Sequence, residues 1–87
     1  MTRSEILAHI IDIIGSDLGW PLDIGAIGQD TEIGTAGLAL DSTLVIELAI
    51  HIERRFNIHI EDEEILGLRN GTLGDVVSLV ESTGLGL

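Results

Sequence analysis

Apolar positions recur at helical spacing near the start, the middle and the end of the chain, and lose any sustained period between the first and second stretches. The middle stretch, Leu44 to Phe56, is the clearest. Val45, Leu48, Ala49, Ile52 and Phe56 fall on one stripe, with Glu47, Glu53 and Arg54 largely outside it. Ile46 and Ile50 are four apart and neighbour each other on a flanking face. They read either as the edge of a wide buried stripe or as an apolar patch framed by Glu47 and Glu53. The first stretch opens at Thr2, with Glu5 at the spacing of a capping box. Leu7, Ile10, Ile11, Ile14 and Leu18 then follow helical spacing, and Gly15 or Gly19 ends it. In the last stretch, Thr72 and Asp75 open a helix whose buried side is Leu73, Val76, Val77 and Val80.

Between these stretches the chain is punctuated. Gly15 to Leu40 reads as a long loop, with Trp20-Pro21 closing it against the first helix. Loops of this length in a compact domain are functional or pinned by their own side chains. Ile24, Ile27, Ile33, Leu38 and Leu40 are the candidate pins. Asn57-Ile58-His59-Ile60 is too short to make a sheet. Asp62-Glu63-Glu64 opens a short helix, with acids in the first turn favoured by the dipole, and Asn70-Gly71 breaks it. Gly84 to Leu87 reads as a frayed tail. The fold expected is all-α: a four-helix antiparallel bundle, three longer helices and one short, with a long loop between helices one and two. It is read as a single domain over residues 1–87.

Composition narrows the function. The 87 residues hold no cysteine, so packing must supply stability without disulfides, and no thiolate is available for catalysis or metal. Fifteen carboxylates face four basic residues, all arginine, for a formal charge of −11. Such a surface disfavours nucleic acid and anionic membrane, and favours a basic protein partner. No long apolar run or signal pattern is visible, so a cytoplasmic monomer is expected.

The chemistry for self-contained catalysis is poor. His9, His51 and His59 lack metal-like spacing. Asp62-Glu63-Glu64 lacks the alternation of a calcium loop, so no metal site is expected. The loop glycines form no phosphate-binding fingerprint. Ser42 has no evident base, so no catalytic residue is assigned. Asp41-Ser42 remains. It stands where the long loop runs into the amphipathic stretch, which makes it either a helix cap or an exposed hydroxyl for another enzyme to modify.

Gly37-Leu38-Ala39-Leu40-Asp41-Ser42-Thr43-Leu44-Val45-Ile46-Glu47-Leu48 resembles the attachment motif of acyl carrier proteins. The resemblance continues through Ile52-Glu53, Phe56, Ile58, Ile60, Asp62-Glu63-Glu64 and Thr72-Leu73-Gly74-Asp75-Val76-Val77, covering roughly Ile33 to Glu81. It implies that Ser42 receives 4′-phosphopantetheine from coenzyme A through a separate phosphopantetheinyl transferase, with Asp41 helping to engage that transferase. It implies a non-catalytic carrier whose partners include an acyltransferase or acid-activating ligase and a ketosynthase or other pathway enzymes. The partner face would comprise Thr43, Ile46, Glu47, Ile50, Glu53 and Arg54.

Departures from the family pattern refine this. Thr43 stands where carriers of fatty-acid synthesis have leucine, Leu44 where they have an acid, and Arg54-Arg55 where they continue acidic. These features look more like a discrete carrier of a polyketide or mixed polyketide–peptide pathway. An aminoacyl or peptidyl carrier is the alternative within the same chemistry. An unmodified helical protein-binding adaptor is the alternative from another class.

Overall fold

The computed structural model describes residues 2–85. Four α-helices account for the regular structure: α1 (Arg3–Asp12), α2 (Ser42–Phe56), α3 (Asp62–Leu68) and α4 (Leu73–Val80). No strand occurs among the described residues; Glu32 and Thr72 form one isolated antiparallel bridge. Ile13–Asp17 prolongs α1 as a wider π-helical turn, and Glu81–Leu85 prolongs α4 the same way. The frayed tail expected from Gly84 thus begins inside helical backbone, while Gly86 and Leu87 lie outside the described residues.

The helix starts are set by side chains. Thr2 and Glu5 close the expected capping box: the Thr2 amide donates to Glu5 Oε1 at 2.9 Å and the Glu5 amide to Thr2 Oγ1 at 3.2 Å. Thr72 and Asp75 repeat it on α4 at 2.9 and 3.2 Å. Asn57, at φ 54°, ends α2 in the left-handed region that asparagine tolerates. Gly19, at φ 67°, turns the chain away from α1.

One apolar cluster lies inside. Ile6, Ile10, Ile13 and Ile14 of the first helix meet Val45, Leu48, Ala49, Ile52 and Phe56 of α2, and Leu73, Val76, Val77 and Val80 of α4. The α2 and α4 stripes are those the periodicity predicts. The α1 stripe is not. Leu7, Ile11 and Leu18 sit at the edge of the core, and Ile6 and Ile13 take the inner places. The first helix carries two adjoining apolar stripes, and the one made by Ile6, Ile10, Ile13 and Ile14 is the one that packs into the core.

Helices α1 and α2 run antiparallel. His9 stacks edge-on to Phe56, Arg55 reaches Asp12 and Asp17 at 3.2 and 3.4 Å, and His51 lies 3.5 Å from Asp17. Contacts thus step backward along α2 as they step forward along α1. Arg3 joins three segments: its guanidinium donates to Gln29 Oε1, to the Gly74 carbonyl and to Ser78 Oγ, and pairs with Glu81.

The long loop is ordered by pins and backbone bonds. Ile33 is wholly buried and Leu40 nearly so, with Ile27 and Leu38 packed at the edge. Ile24, a candidate pin, is instead 70% exposed on a short 3₁₀ turn, Ile24–Ala26. Trp20 departs from expectation in part. Its amide bonds to Ile14 O at the end of the first helix, but its indole reaches across the loop to Leu38.

Candidate functional site

The loop delivers the chain to α2 by way of α4. The first two amides of α4, Leu73 and Gly74, donate to Thr31 O and Gln29 O at 2.9 and 2.8 Å. Helix starts leave such donors without internal partners, and the loop supplies them. Ile33 returns a bond to Gly71 O at 3.0 Å. A tight turn comes next. Leu38 donates to Glu32 O at 2.8 Å, Ala39 to Gly34 O at 2.8 Å and Leu40 to Ile33 O at 3.0 Å. A Cβ on Gly37 would lie 2.0 Å from Glu32 O, so no other residue fits there without moving the backbone. Ala39 adopts φ 58°, and Leu40 drops into the core.

Asp41 is the N-cap of α2. Its backbone is extended, Oδ1 accepts from the Leu44 amide at 2.9 Å, and its carbonyl takes the first helical bond from Val45 at 3.0 Å. Ser42 is the first residue of the helix and is exposed. Among the described residues, nothing accepts from the amides of Ser42 or Thr43. Beyond the capping Asp41 carboxylate no acid sits in the first helical turn, and Arg54 and Arg55 occupy the last. An exposed hydroxyl beside two unpartnered amides at a helix start suits a phosphodiester on the oxygen. The residues present therefore fit a phosphate-linked arm. Asp41 keeps its cap without leaving the surface.

Thr43, Ile46, Glu47, Ile50 and Arg54 follow helical spacing down the outer side of α2, and all are exposed. Ile46 is 47% exposed and Ile50 39%, which decides between the two readings of that pair in favour of a solvent-facing patch. Glu53 differs. Its Oε2 accepts from the Ile60 amide at 2.8 Å and lies 3.2 Å from His59, so it ties the chain after α2 back to the helix. Sequence reasoning missed the contribution of α3. Ile65 and Leu66, with Asp62, face Ile46 across a shallow groove of about 220 Å³, and Leu66 is 70% exposed. The available signal was the apolar pair left over once Leu68 takes the core place.

The three histidines make separate local contacts, and the described residues hold no cluster of three or more His, Asp or Glu able to hold a metal. No helix among them is long and apolar enough to cross a membrane. The Phosphopantetheine attachment site family matches residues 8–80, which includes the whole of α2 and its cap. The chain belongs to that family, that of the acyl carrier proteins. As a member it falls in a group defined by covalent attachment of 4′-phosphopantetheine. It is 32% identical over 81 residues to the meromycolate extension acyl carrier protein of Mycobacterium tuberculosis, covering 93% of this chain and 66% of that protein. The chain thus spans just under two thirds of that relative. Coverage is fuller elsewhere. An acyl carrier protein of an Arthrobacter species is 32% identical over 79 residues, 91% of each chain. One from an Exiguobacterium species is 33% identical over 82 residues, 94% of this chain and 98% of the relative.

Proposed function

We propose that the chain is a non-catalytic, cytoplasmic acyl carrier and that Ser42 is its attachment residue. The observation that carries this reading is the exposed Ser42 hydroxyl at the start of α2, flanked by two unpartnered amides and preceded by a cap that holds the turn in place. When attached, the arm supplies reach and a thiol for acyl thioesters. The chain's own part is to fix the root of the arm and to present a surface for enzymes. A tethered intermediate meets those enzymes at high effective concentration.

Asp41 has two parts in this reading. It caps α2 and offers a carboxylate beside Ser42 to the phosphopantetheinyl transferase. Pathway enzymes, among them an acyltransferase or ligase and a ketosynthase, meet the outer side of α2. Ile46 and Ile50 serve as apolar anchors, joined by Leu66 of α3, and Glu47 steers basic partners within the field of a net charge of −11. Arg54 breaks that acidity at the far end. Thr43, Leu44 and Arg54 support a polyketide or hybrid polyketide–peptide pathway. Similarity to a carrier named for meromycolate extension favours a second reading, elongation of a long lipid chain.

Intact mass after incubation with coenzyme A and a broad-specificity transferase tests the attachment. The wild-type chain should gain one phosphopantetheine and Ser42→Ala none. An unchanged wild-type mass, or a gain that survives Ser42→Ala, overturns it.

A further inference from the structure

The Trp20 indole Nε1–H donates to the Leu38 carbonyl at 3.0 Å. Among the described residues this is the one hydrogen bond that joins residues 18–27 to residues 28–40. The tryptophan is itself fastened, since its amide donates to Ile14 O at 3.0 Å. Trp20 lines two open cavities, of about 450 and 580 Å³, and is half-buried. The indole acts as a strap from the end of the first helix to the far limb of the loop.

The far limb is where a strap matters. Leu38 is held at both ends, its amide by Glu32 O and its carbonyl by Trp20. The next residue, Ala39, stands at φ 58°, which is unfavourable for any residue with a Cβ. Two residues later comes Asp41, and then Ser42. The Leu38–Ala39 peptide is held on both sides, its N–H by Gly34 O at 2.8 Å and its carbonyl by Trp20, so freeing the carbonyl removes one of the two bonds that oppose its rotation and the return of Ala39 to an ordinary φ. That rotation redirects the chain just before the cap. We infer that the Trp20 N–H is a positioning group for modification of Ser42: it holds the strained Ala39 turn and so keeps the Asp41-Ser42 root in one orientation for the transferase. This role rests on Ser42 being the attachment residue. Without the strap, only a fraction of the chains is competent, and apparent affinity falls by that fraction.

Trp20 is the chain's one tryptophan, so biosynthetic replacement of tryptophan by benzothienylalanine changes this position alone. That analogue keeps the ring shape and puts sulfur in place of the N–H. Trp20→Phe is the genetic counterpart. Steady-state transfer from coenzyme A to the full apo chain is measured for wild type and both variants, with amide hydrogen exchange alongside. The expected result is a KM for the carrier raised about fivefold, the scale of one net hydrogen bond, with kcat within about twofold. Exchange at Ala39 and Leu40 should rise by a similar factor while that in α1 and α4 stays unchanged. An unchanged KM in the benzothienylalanine protein overturns the inference, as does faster exchange spread evenly over all four helices. If Trp20→Phe fails to fold, the analogue decides. If wild type itself takes no phosphopantetheine on Ser42, the carrier reading fails and the inference falls with it.

Discussion

Asp41 Oδ1 accepts the Leu44 amide at 2.9 Å, across the turn that Ser42 opens. The cap and the acid beside Ser42 are one side chain, and substitution can separate the two roles. Asp41→Asn keeps an N-cap of similar quality, whereas Asp41→Ala loses about 1 kcal/mol. In urea melts, Asp41→Asn should match wild type closely and Asp41→Ala should not. In the transferase assay both should be impaired, because both lose the charge. Full activity of Asp41→Asn would restrict Asp41 to its capping role.

Glu53 answers differently from the acids around it. Its carboxylate holds the Ile60 amide at 2.8 Å in a half-buried site. Glu53→Ala should cost about 1–3 kcal/mol by leaving that donor unsatisfied. Glu47→Ala, on the exposed outer face, should stay within about 0.5 kcal/mol. Chemical denaturation of the pair checks both, and similar losses at the two positions would contradict the geometry.

Ile46 and Ile52 lie on one helix with opposite surroundings. Ile52 is wholly buried and Ile46 is 47% exposed. Ile52→Ala should cost about 2–5 kcal/mol, a large part of the stability of so small a domain. Ile46→Ser should leave the melting temperature nearly unchanged and raise KM with a partner enzyme that docks on α2. A partner that ignores Ile46→Ser, Ile50→Ser and Leu66→Ser alike would remove these residues from the docking face.

Gly37 and Gly67 make a second contrast. A methyl at Gly37 meets Glu32 O at 2.0 Å, so Gly37→Ala should cost about 1–3 kcal/mol through backbone displacement. At Gly67, inside α3, a methyl meets nothing within 4 Å. Gly67→Ala should stabilise by about 0.5–1 kcal/mol through helix propensity. Thermal melts of the two variants should move in opposite directions.

Acid should loosen the start of α1 through Glu5. The Thr2 backbone amide, and then the Thr2 hydroxyl, hold its carboxyl below the ordinary glutamate value. A carboxyl lowered by folding contributes its stability above its unfolded pKa and loses it as pH falls through the folded one. The Thr2–Glu5 box should therefore be intact near neutrality and open in acid. Side-chain carboxyl NMR of Glu5 should give a midpoint below that of a model peptide, and Thr2→Ala should raise it.

Legibility followed the physics of each element. The stripes of α2 and α4 were plain because their core residues recur at helical spacing. The start of each was plain because Asp41 and Thr72 cap through their own side chains. The path of the loop was not. Gln29 and Thr31 meet the start of α4, and Ile33 meets Gly71 just before it, through backbone groups, which every residue type carries. Glu53 looked like its acidic neighbours because nothing local marks the Ile60 amide as its partner.

The sequence by itself determined where helices begin, which serine opens α2 and which family the chain resembles, since all three are written in nearest-neighbour spacing. Only the tertiary structure decided which apolar faces are covered. Ile6 went inside and Ile46 stayed out, though both fit a helical stripe. The reason is that burial depends on what arrives from elsewhere in the chain. Here the first helix and α4 met the inner side of α2, while α3 leaves Ile46 half open across a shallow groove.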